Sequence, residues 1–161
     1  SGTYNLPEAQ LDRFLLKTII DYPTEKQEIS VMKQYSKDNN IKIEKILNKT
    51  DIKQIKIAIE DVFVDENIYE YVKDIVFATR NQKLMDRYLS IGASPRASIA
   101  LIKTSKILAY LDGRDFVLPE DIKEMALPVL RHRIILSYEA VAEGITTDTI
   151  IEEILKKIKL K

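Results

Sequence analysis

The stretch IGASPRASIALIKTSKILAYLDG, residues 91–113, contains the clearest helix pattern of the chain and decides its fold class. Ser94 is a residue type that caps the amino ends of helices, and Pro95 suits the first helical position, where its missing N–H would have no partner anyway. Gly113 lies where a glycine commonly ends a helix. The sequence therefore predicts a helix that begins after Ser94 and ends at Gly113.

An arginine, Arg96, lies in the first turn of this helix. The amino end of a helix already carries partial positive charge, so a further cation there is unfavourable unless an anion lies nearby. Two interpretations are open. Arg96 is a surface arginine that pairs with an acidic neighbour, or it belongs to a phosphate site in which helix N–H groups and a bidentate guanidinium bind one anion.

The composition excludes several classes of protein. Hydrophobic residues are 45% and charged residues 31% of 161, which is typical of a soluble globular protein, and no apolar run approaches the ~20 residues of a membrane span. No secretory signal opens the chain, so we expect a cytoplasmic protein without membrane insertion. With no cysteine and one histidine, we expect no metal site and no Ser-His-Asp triad.

The charge balance and the glycine count narrow the possible ligands. Lys+Arg and Asp+Glu both number 25, and this neutrality argues against a nucleic-acid binder, which normally has a basic excess. The four glycines are spaced too widely for either common phosphate-binding loop, the P-loop or the dinucleotide fingerprint. Any contact with phosphate must therefore come from side chains and helix ends.

Capping residues and apolar spacing predict further helices from Tyr22 onward. The first carries a capping-box pair, Thr24 and Gln27, and is expected to bury Ile29, Met32 and either Tyr35 or Val31. Asp51 and Asp65 are predicted to cap the next two helices. In the helix after Asp65, the apolar side chains expected to face the core are Ile68, Val72, Ile75 and Val76. The predicted helices cover about residues 25–37, 52–63, 66–82, 95–113, 119–127 and 148–159.

Three segments are predicted to lie outside this helical pattern. The apolar run from Phe14 to Ile20 ends at Pro23 and favours a buried strand, and because a single strand is not stable alone, its sheet is expected to be missing. Residues 83–93 are predicted to form a loop. Pro128 is expected to break or kink the helix that begins near Pro119, so that residues 128–140 form a separate segment. The fold class is thus an all-α helical bundle preceded by an orphan strand or extended segment.

Other candidate sites carry weaker signals. Arg13, in LDRF, either exchanges charge with Asp12 or Glu8, or is presented at a subunit edge to another molecule's phosphate. Asp65 in VFVDE is better explained as a helix cap than as a metal ligand, because no phosphate-binding loop precedes it. His132 lies between two arginines without a nucleophile motif, so a structural or surface role is expected.

Two motifs together resemble one family. GTYNLPEAQLDRFLL, residues 2–16, and the stretch from Gly92 to Ile134 look like the C-terminal part of a MoxR-type AAA+ ATPase. The resemblance spans nearly the whole chain and is loose between Ser36 and Val64. It implies a division into residues 1–22, the end of the ATPase core with the arginine-finger turn and its last strand, and residues 23–161, the helical lid.

The resemblance also implies roles for individual residues. Arg96 would be the sensor 2 arginine, which reaches the γ-phosphate of ATP bound between lid and core. Ser94, Pro95, Arg96 and Ala97 would form the nucleotide-binding end of that helix. Arg13 would be the arginine finger, which completes the site of a neighbouring subunit. ATP and Mg²⁺ would be bound by the intact protein.

The implied assembly is a homo-oligomeric ring, usually a hexamer, that acts as a chaperone-like remodeller. Its implied partners are neighbouring subunits and proteins with a von Willebrand factor A domain. Because this sequence contains no phosphate-binding loop, we expect it to be a fragment that neither hydrolyses ATP nor binds it tightly alone. An alternative is a helical protein-interaction module without a nucleotide role, and a DNA-binding helical domain is disfavoured by the neutral charge.

Overall fold

The computed structural model of the protein describes residues 6–36, 43–81 and 87–160. Predictions that concern residues 1–5, Lys37 or residues 82–86 lie outside the described residues. The described residues are mostly helical, which confirms the all-α fold class. The elements are α1 Glu8–Leu11, α2 Glu25–Tyr35, α3 Lys49–Asp61, α4 Glu66–Ala78, β1 Leu89–Ile91, α5 Pro95–Leu111, α6 Pro119–Leu130, β2 Ile135–Leu136, α7 Tyr138–Ala142 and α8 Thr147–Lys157.

The hydrophobic core lies where α4, α5, α6 and α8 pack together. Helix α5 packs mainly against α6 and also against α4 and α3, and α8 covers α6 and α4. The predicted inward residues of α4 are all buried, which confirms the helical periodicity there. The largest side chains that are completely enclosed are Ile75, Leu101, Ile122, Leu130 and Ile151.

Helix α5 has the ends that its sequence predicts. The Ser94 hydroxyl accepts a hydrogen bond from the backbone N–H of Arg96 at 3.2 Å, and Pro95 occupies the first turn. At the other end Gly113 has φ of +73°, a left-handed conformation that a residue with a side chain adopts only with strain. The backbone N–H of Arg114 then returns to the Ala109 carbonyl at 2.8 Å. These local signals fix both the length and the direction of α5.

Pro128 was expected to break or kink its helix; the break is wrong, because α6 continues through Pro128 to Leu130 and residues 128–140 are not a separate segment. A proline removes one N–H and crowds the carbonyl four residues earlier. Only two helical residues follow Pro128, so the defect is confined to the last turn. The hydrogen bond that closes the helix, from the N–H of the C-cap residue Arg131 to the Leu127 carbonyl, is intact at 3.1 Å.

The prediction that residues 83–93 form a loop is also wrong for the described part. Leu89–Ile91 is strand β1, which pairs antiparallel with β2 through Leu89 opposite Leu136 and Ile91 opposite Ile135. The pairing was not recognised because each strand is only two or three residues long. Directly after β1, a Cβ placed on Gly92 would lie 2.4 Å from the Thr79 carbonyl oxygen, so this position needs glycine for close approach of two backbones.

The described residues before Val62 include none that is buried. Helix α2 has the predicted capping box, yet Ile29, Val31, Met32 and Tyr35 are 46–74% exposed, so the predicted burial is wrong. Its apolar face exists, but no described element packs against it. Helix α3 begins one turn earlier than predicted, because Asn48 is the cap and Asp51 completes its capping box from inside the helix.

The strand predicted from Phe14 to Ile20 is not formed. These residues have neither helix nor strand structure, and five of their apolar side chains are exposed, from Leu16 at 37% to Ile20 at 91%. A strand needs a neighbour for its hydrogen bonds, and no described strand lies beside this segment. The alternative of an extended segment is therefore what the structure shows.

Candidate phosphate site at the amino end of helix α5

The anion that the sequence demands beside Arg96 is present within the chain, and it is the carboxylate of Asp12. Asp12 ends the short helix α1 and lies 84 residues away from Arg96 in the sequence. Its Oδ2 accepts a hydrogen bond from Nη1 of Arg96 at 2.9 Å. The Ser94 hydroxyl lies 2.9 Å from both carboxylate oxygens. A negative charge thus lies at the positive end of α5, as electrostatics favours.

A second arginine supports Asp12 from inside the fold. The side chain of Arg133 is only 2% exposed, and its Nε lies 3.4 Å from Oδ1 of Asp12. That contact is an ion pair without hydrogen-bond geometry, so Nε of Arg133 is a buried donor with no hydrogen-bond partner. The terminal nitrogens of Arg133 donate to the backbone carbonyls of Asp12, Leu15 and Phe14. Arg133 therefore anchors both the charge and the backbone of this turn.

The irregular segment after Asp12 is tied to the end of α6. The ring nitrogen Nε2 of His132 lies 3.0 Å from the Phe14 carbonyl oxygen, and the N–H of Lys17 donates to the Pro128 carbonyl at 2.9 Å. Arg131 forms an ion pair with Asp148 at 2.9 Å. Arg131 and Arg133 are thus paired inside the fold and do not form a basic surface patch. His132 thus has a structural role, which is one of the two roles that the sequence left open for it.

The environment of Asp12 favours its charged form. Partial burial alone would raise the pKa of this carboxyl, but hydrogen bonds from Arg96 and Ser94 and the charge of Arg133 outweigh it and hold the pKa below its ordinary value. Burial has the opposite consequence for Arg133, whose pKa is lowered because the cation is taken out of water. Both groups remain ionised near neutral pH, since an arginine keeps its proton there.

The structure brings some of the predicted site residues together and leaves one apart. Ser94, Pro95, Arg96 and Ala97 form the first turn of α5. The Ala97 side chain is buried, and its N–H already bonds to the Ser94 carbonyl at 2.9 Å, so Ala97 offers packing and no free donor. The Arg96 side chain is 60% exposed. Arg13 is exposed, and among the described residues its side chain has no ion-pair partner.

Two residues of the site, Asp12 and Arg133, were missed from the sequence. The sequence indicates Asp12 only as a partner for the adjacent Arg13, and it favours packing or pairing at the end of a helix for Arg133 over a small basic patch. The surroundings include a cavity of about 260 Å³ lined by Asp12, Gly92, Ser94 and Arg133 among others. The available signal was the unexplained cation at the start of α5, which required an anion but did not say which residue supplied it.

His132 gives the site a testable pH dependence. Burial lowers the pKa of His132 below its ordinary value of 6.5, against the opposing effect of the hydrogen bond to Phe14. The unfolded chain then binds the proton first, so stability is complete above pH 6.5 and is lost as the pH falls toward the lower pKa of the folded state. We expect the free energy of unfolding, measured by urea titration, to fall as the pH is lowered through this window.

The control for this prediction is the His132→Gln variant. His132 is the single histidine of the chain, so no other imidazole titrates in the same window. The variant should have a flatter stability profile below pH 6.5 than the parent chain. The same fall in both proteins would contradict the assignment.

The described residues show two further absences. No described helix has both the length and the apolar character that crossing a bilayer requires. In the same part of the chain, no group of three or more histidine, aspartate or glutamate side chains is arranged to hold a metal ion.

Comparison with known proteins shows that the part of the site formed by Ser94, Arg96 and Arg133 lies within a known domain. Residues 81–154 match the AAA lid domain family. A relative from Bacillus subtilis, "Uncharacterized protein YeaC", is 39% identical over 99% of this chain and 49% of its own length. The "Chaperone MoxR1" of Mycobacterium tuberculosis is 35% identical over 99% of this chain and 43% of its own length.

A solved structure matches the same region. The crystal structure of a "putative ATPase" from Cytophaga hutchinsonii superposes on all of this chain and 51% of its own length, with a TM-score of 0.94 and 44% identity. The chain thus spans about half the length of the relatives it matches.

These matches and the helical fold define the class: the chain belongs to the AAA+ ATPases and contains their helical lid domain. The relatives identify the branch more closely. The chain is a member of the MoxR type, with the lid region and the segment that precedes it.

Proposed function

We propose that this chain supplies the sensor 2 arginine and the arginine finger of an ATP-hydrolysing MoxR-type protein. The intact protein binds ATP and Mg²⁺, assembles into a homo-oligomeric ring, usually a hexamer, in the cytoplasm, and remodels or helps to mature partner proteins, among them proteins with a von Willebrand factor A domain. Residues 1–22 are the end of the ATPase core, and residues 23–161 are the lid.

One observation carries the proposal: the amino end of α5 is built to hold an anion, and its arginine is exposed. Asp12 already receives hydrogen bonds from Ser94 and Arg96 there. A guanidinium that is 60% exposed can reach a group outside the chain. A phosphate suits this place for the same reasons as a carboxylate, because helix dipole and guanidinium both favour negative charge.

Each arginine then has a defined role in hydrolysis. Charge accumulates on the γ-phosphate oxygens and the leaving group as the bond to the β-phosphate breaks, and cations placed in advance lower the barrier. Arg96 neutralises the γ-phosphate of the nucleotide bound by its own subunit. Arg13 approaches the nucleotide of the next subunit. Since Arg96 belongs to the lid, loss of the γ-phosphate changes the lid position that is preferred.

The test replaces Arg96 in the full-length protein. We expect Arg96→Ala to reduce steady-state ATP turnover about 10²-fold, which is typical of losing one donor to transition-state charge. Lys103→Ala is the matched control, because it removes a cation from an exposed position of the same helix. Size-exclusion chromatography with light scattering should show that both variants assemble like the parent protein.

A different outcome would favour the alternative function. Unchanged turnover in Arg96→Ala, with assembly intact, would show that Arg96 only pairs with Asp12 and would support a helical protein-interaction module. The exposed apolar side chains of α2 favour that alternative, since they are available to a partner protein.

A further inference from the structure

We propose that Asp12 is an internal stand-in for phosphate, which holds Arg96 until a phosphate group displaces it. The inference goes beyond the proposed function and rests on it, because the phosphate that competes with Asp12 is that of the bound nucleotide. In the structure the Asp12 carboxylate has the hydrogen bonds that a phosphate at this helix end would seek, from Ser94 at 2.9 Å and from Arg96 at 2.9 Å. The Ser94 hydroxyl and Nη1 of Arg96 cannot donate the same hydrogens to a carboxylate and to a phosphate, and the two negative charges repel each other.

Arg96 is the partner that Asp12 can lose most readily. The Arg96 side chain is 60% exposed while that of Asp12 is 16% exposed, so the pair lies at the protein surface, where water screens it. Released from Asp12, the guanidinium returns to solvent or binds a phosphate at little cost. An exchange of partners at Arg96 therefore needs no rearrangement of the core.

Asp12 keeps a countercharge when Arg96 leaves. The buried Arg133 lies behind it, and its Nε is 3.4 Å from Oδ1 without a hydrogen-bond partner. A small shift of the carboxylate toward Arg133 would complete that missing hydrogen bond. Two arginines, one buried and one exposed, thus give the carboxylate two stable arrangements: shared between them, or held by Arg133 alone.

The exchange has a consequence for the next residue in the chain. Arg13 follows Asp12 directly, so the turn that carries Arg13 is attached to α5 through Asp12. When a phosphate takes Arg96, this attachment loses one of its two side-chain contacts on α5, the other being Ser94. Arg133 still holds the backbone on both sides of Arg13, so phosphate binding at Arg96 affects Arg13 only through this one contact of the Asp12 carboxylate.

The proposal predicts that removing the carboxylate strengthens phosphate binding. Pyrophosphate is the probe, and the 161-residue chain is titrated with it at constant ionic strength while the Arg96 Nε–Hε signal is followed by NMR. We expect Asp12→Asn to lower the Kd for pyrophosphate about fivefold, the size of one exposed ion pair, because the competitor is gone. A residue that only positions Arg96 for phosphate would give the opposite change.

Matched variants make the result specific. Glu25→Gln removes the same charge from an exposed position of helix α2, which does not line the cavity beside Asp12, and should leave the Kd unchanged. Asp12→Glu keeps the carboxylate and should retain the weak binding of the parent chain. In the double variant Asp12→Asn with Arg96→Ala, the gain should disappear.

The outcomes decide the proposal in both directions. The proposal is supported if Asp12→Asn lowers the Kd for pyrophosphate and if this gain requires Arg96. This remains true if the substitution also detaches the turn that carries residue 12 from α5, because the competing carboxylate is absent in that case too. An unchanged or higher Kd would overturn it, and so would failure of the Asp12→Asn chain to bind pyrophosphate at all. The proposed function has a separate readout, since loss of ATP turnover in Arg96→Ala does not depend on Asp12.

Discussion

Replacing Arg13 by alanine should reduce ATP turnover by the full-length protein at least about 10³-fold, the lower end of the range for an arginine supplied in trans. Arg13 is exposed, and among the described residues it forms no ion pair, so its guanidinium is available to another molecule. The adjacent Asp12 is fixed to Ser94, Arg96 and Arg133, which gives the turn a defined position. Lys17→Ala is the control, because it removes an exposed cation from the same segment and should keep full activity.

Mixing two inactive variants tests whether Arg13 acts on a neighbouring subunit. In the proposed ring, built from a mixture of the two variants, an ATP site is complete under one condition. An Arg13→Ala subunit must bind the ATP, and its neighbour must be an Arg96→Ala subunit that supplies Arg13. In a head-to-tail ring each site receives Arg13 from one neighbouring subunit. When equal amounts of the two variants assemble at random, about a quarter of all sites are therefore complete. Recovery of about that share of the activity is expected. No recovery above the two separate variants would contradict an action in trans.

The helices of the core could be predicted because their signals are local. Ser94, Pro95 and Gly113 define α5 within a single stretch of sequence, and the apolar period of α4 gives its buried face. Each signal depends on residues within one or two turns of one another. Such local predictions are confirmed for both α4 and α5.

The errors concern positions that depend on distant parts of the chain. Helix α2 has an amphipathic pattern, but whether Ile29 and Met32 are buried depends on a partner element, and none is described beside them. The run from Phe14 to Ile20 is apolar enough for a strand, but a strand forms only where another strand pairs with it. Pro128 is tolerated because α6 ends two residues later, which the local pattern did not show.

The sequence predicted the cation of the candidate site, Arg96, but not the residue that supplies its anion. The cation at the start of α5 indicated an anion, and that inference was sound, because an anion lies there. The residue that supplies it is 84 positions away, and no spacing rule connects Asp12 with Arg96. The two interpretations of Arg96 are also less opposed than the sequence suggested. The arginine pairs with an acidic neighbour, and the same geometry is suited to a phosphate.

The second large effect is expected at Asp121, in the first turn of α6. Its side chain is 6% exposed and accepts hydrogen bonds from both terminal nitrogens of Arg114, at 2.9 and 2.6 Å. The same carboxylate accepts from the backbone N–H of Leu118 at 2.7 Å and thereby caps α6. Arg114 also donates to the Phe116 carbonyl at 3.0 Å, so the Asp121–Arg114 pair helps to hold the connection between α5 and α6, together with the backbone hydrogen bonds of Phe63.

Asp121→Ala should therefore lower the free energy of unfolding by about 2 kcal/mol. A hydrogen bond to a charged group contributes roughly 1.5–3 kcal/mol, and losing a helix cap costs about 1 kcal/mol, with overlap between the two because one carboxylate serves both. Arg114 keeps Asp112 and the Phe116 carbonyl as partners, which limits the loss. A domain of this size is stabilised by only about 5–15 kcal/mol in total, so the loss is a large share. Urea unfolding followed by circular dichroism measures it.

Glu120→Ala provides the matched control for this change. Glu120 is the preceding residue, and its side chain is 70% exposed with Lys123 3.6 Å away, so its removal should cost less than about 0.5 kcal/mol. The two residues lie in the same turn of α6, but only Asp121 is buried and bonded to Arg114. Equal stability of the Asp121→Ala and Glu120→Ala variants would therefore contradict the structural role of Asp121.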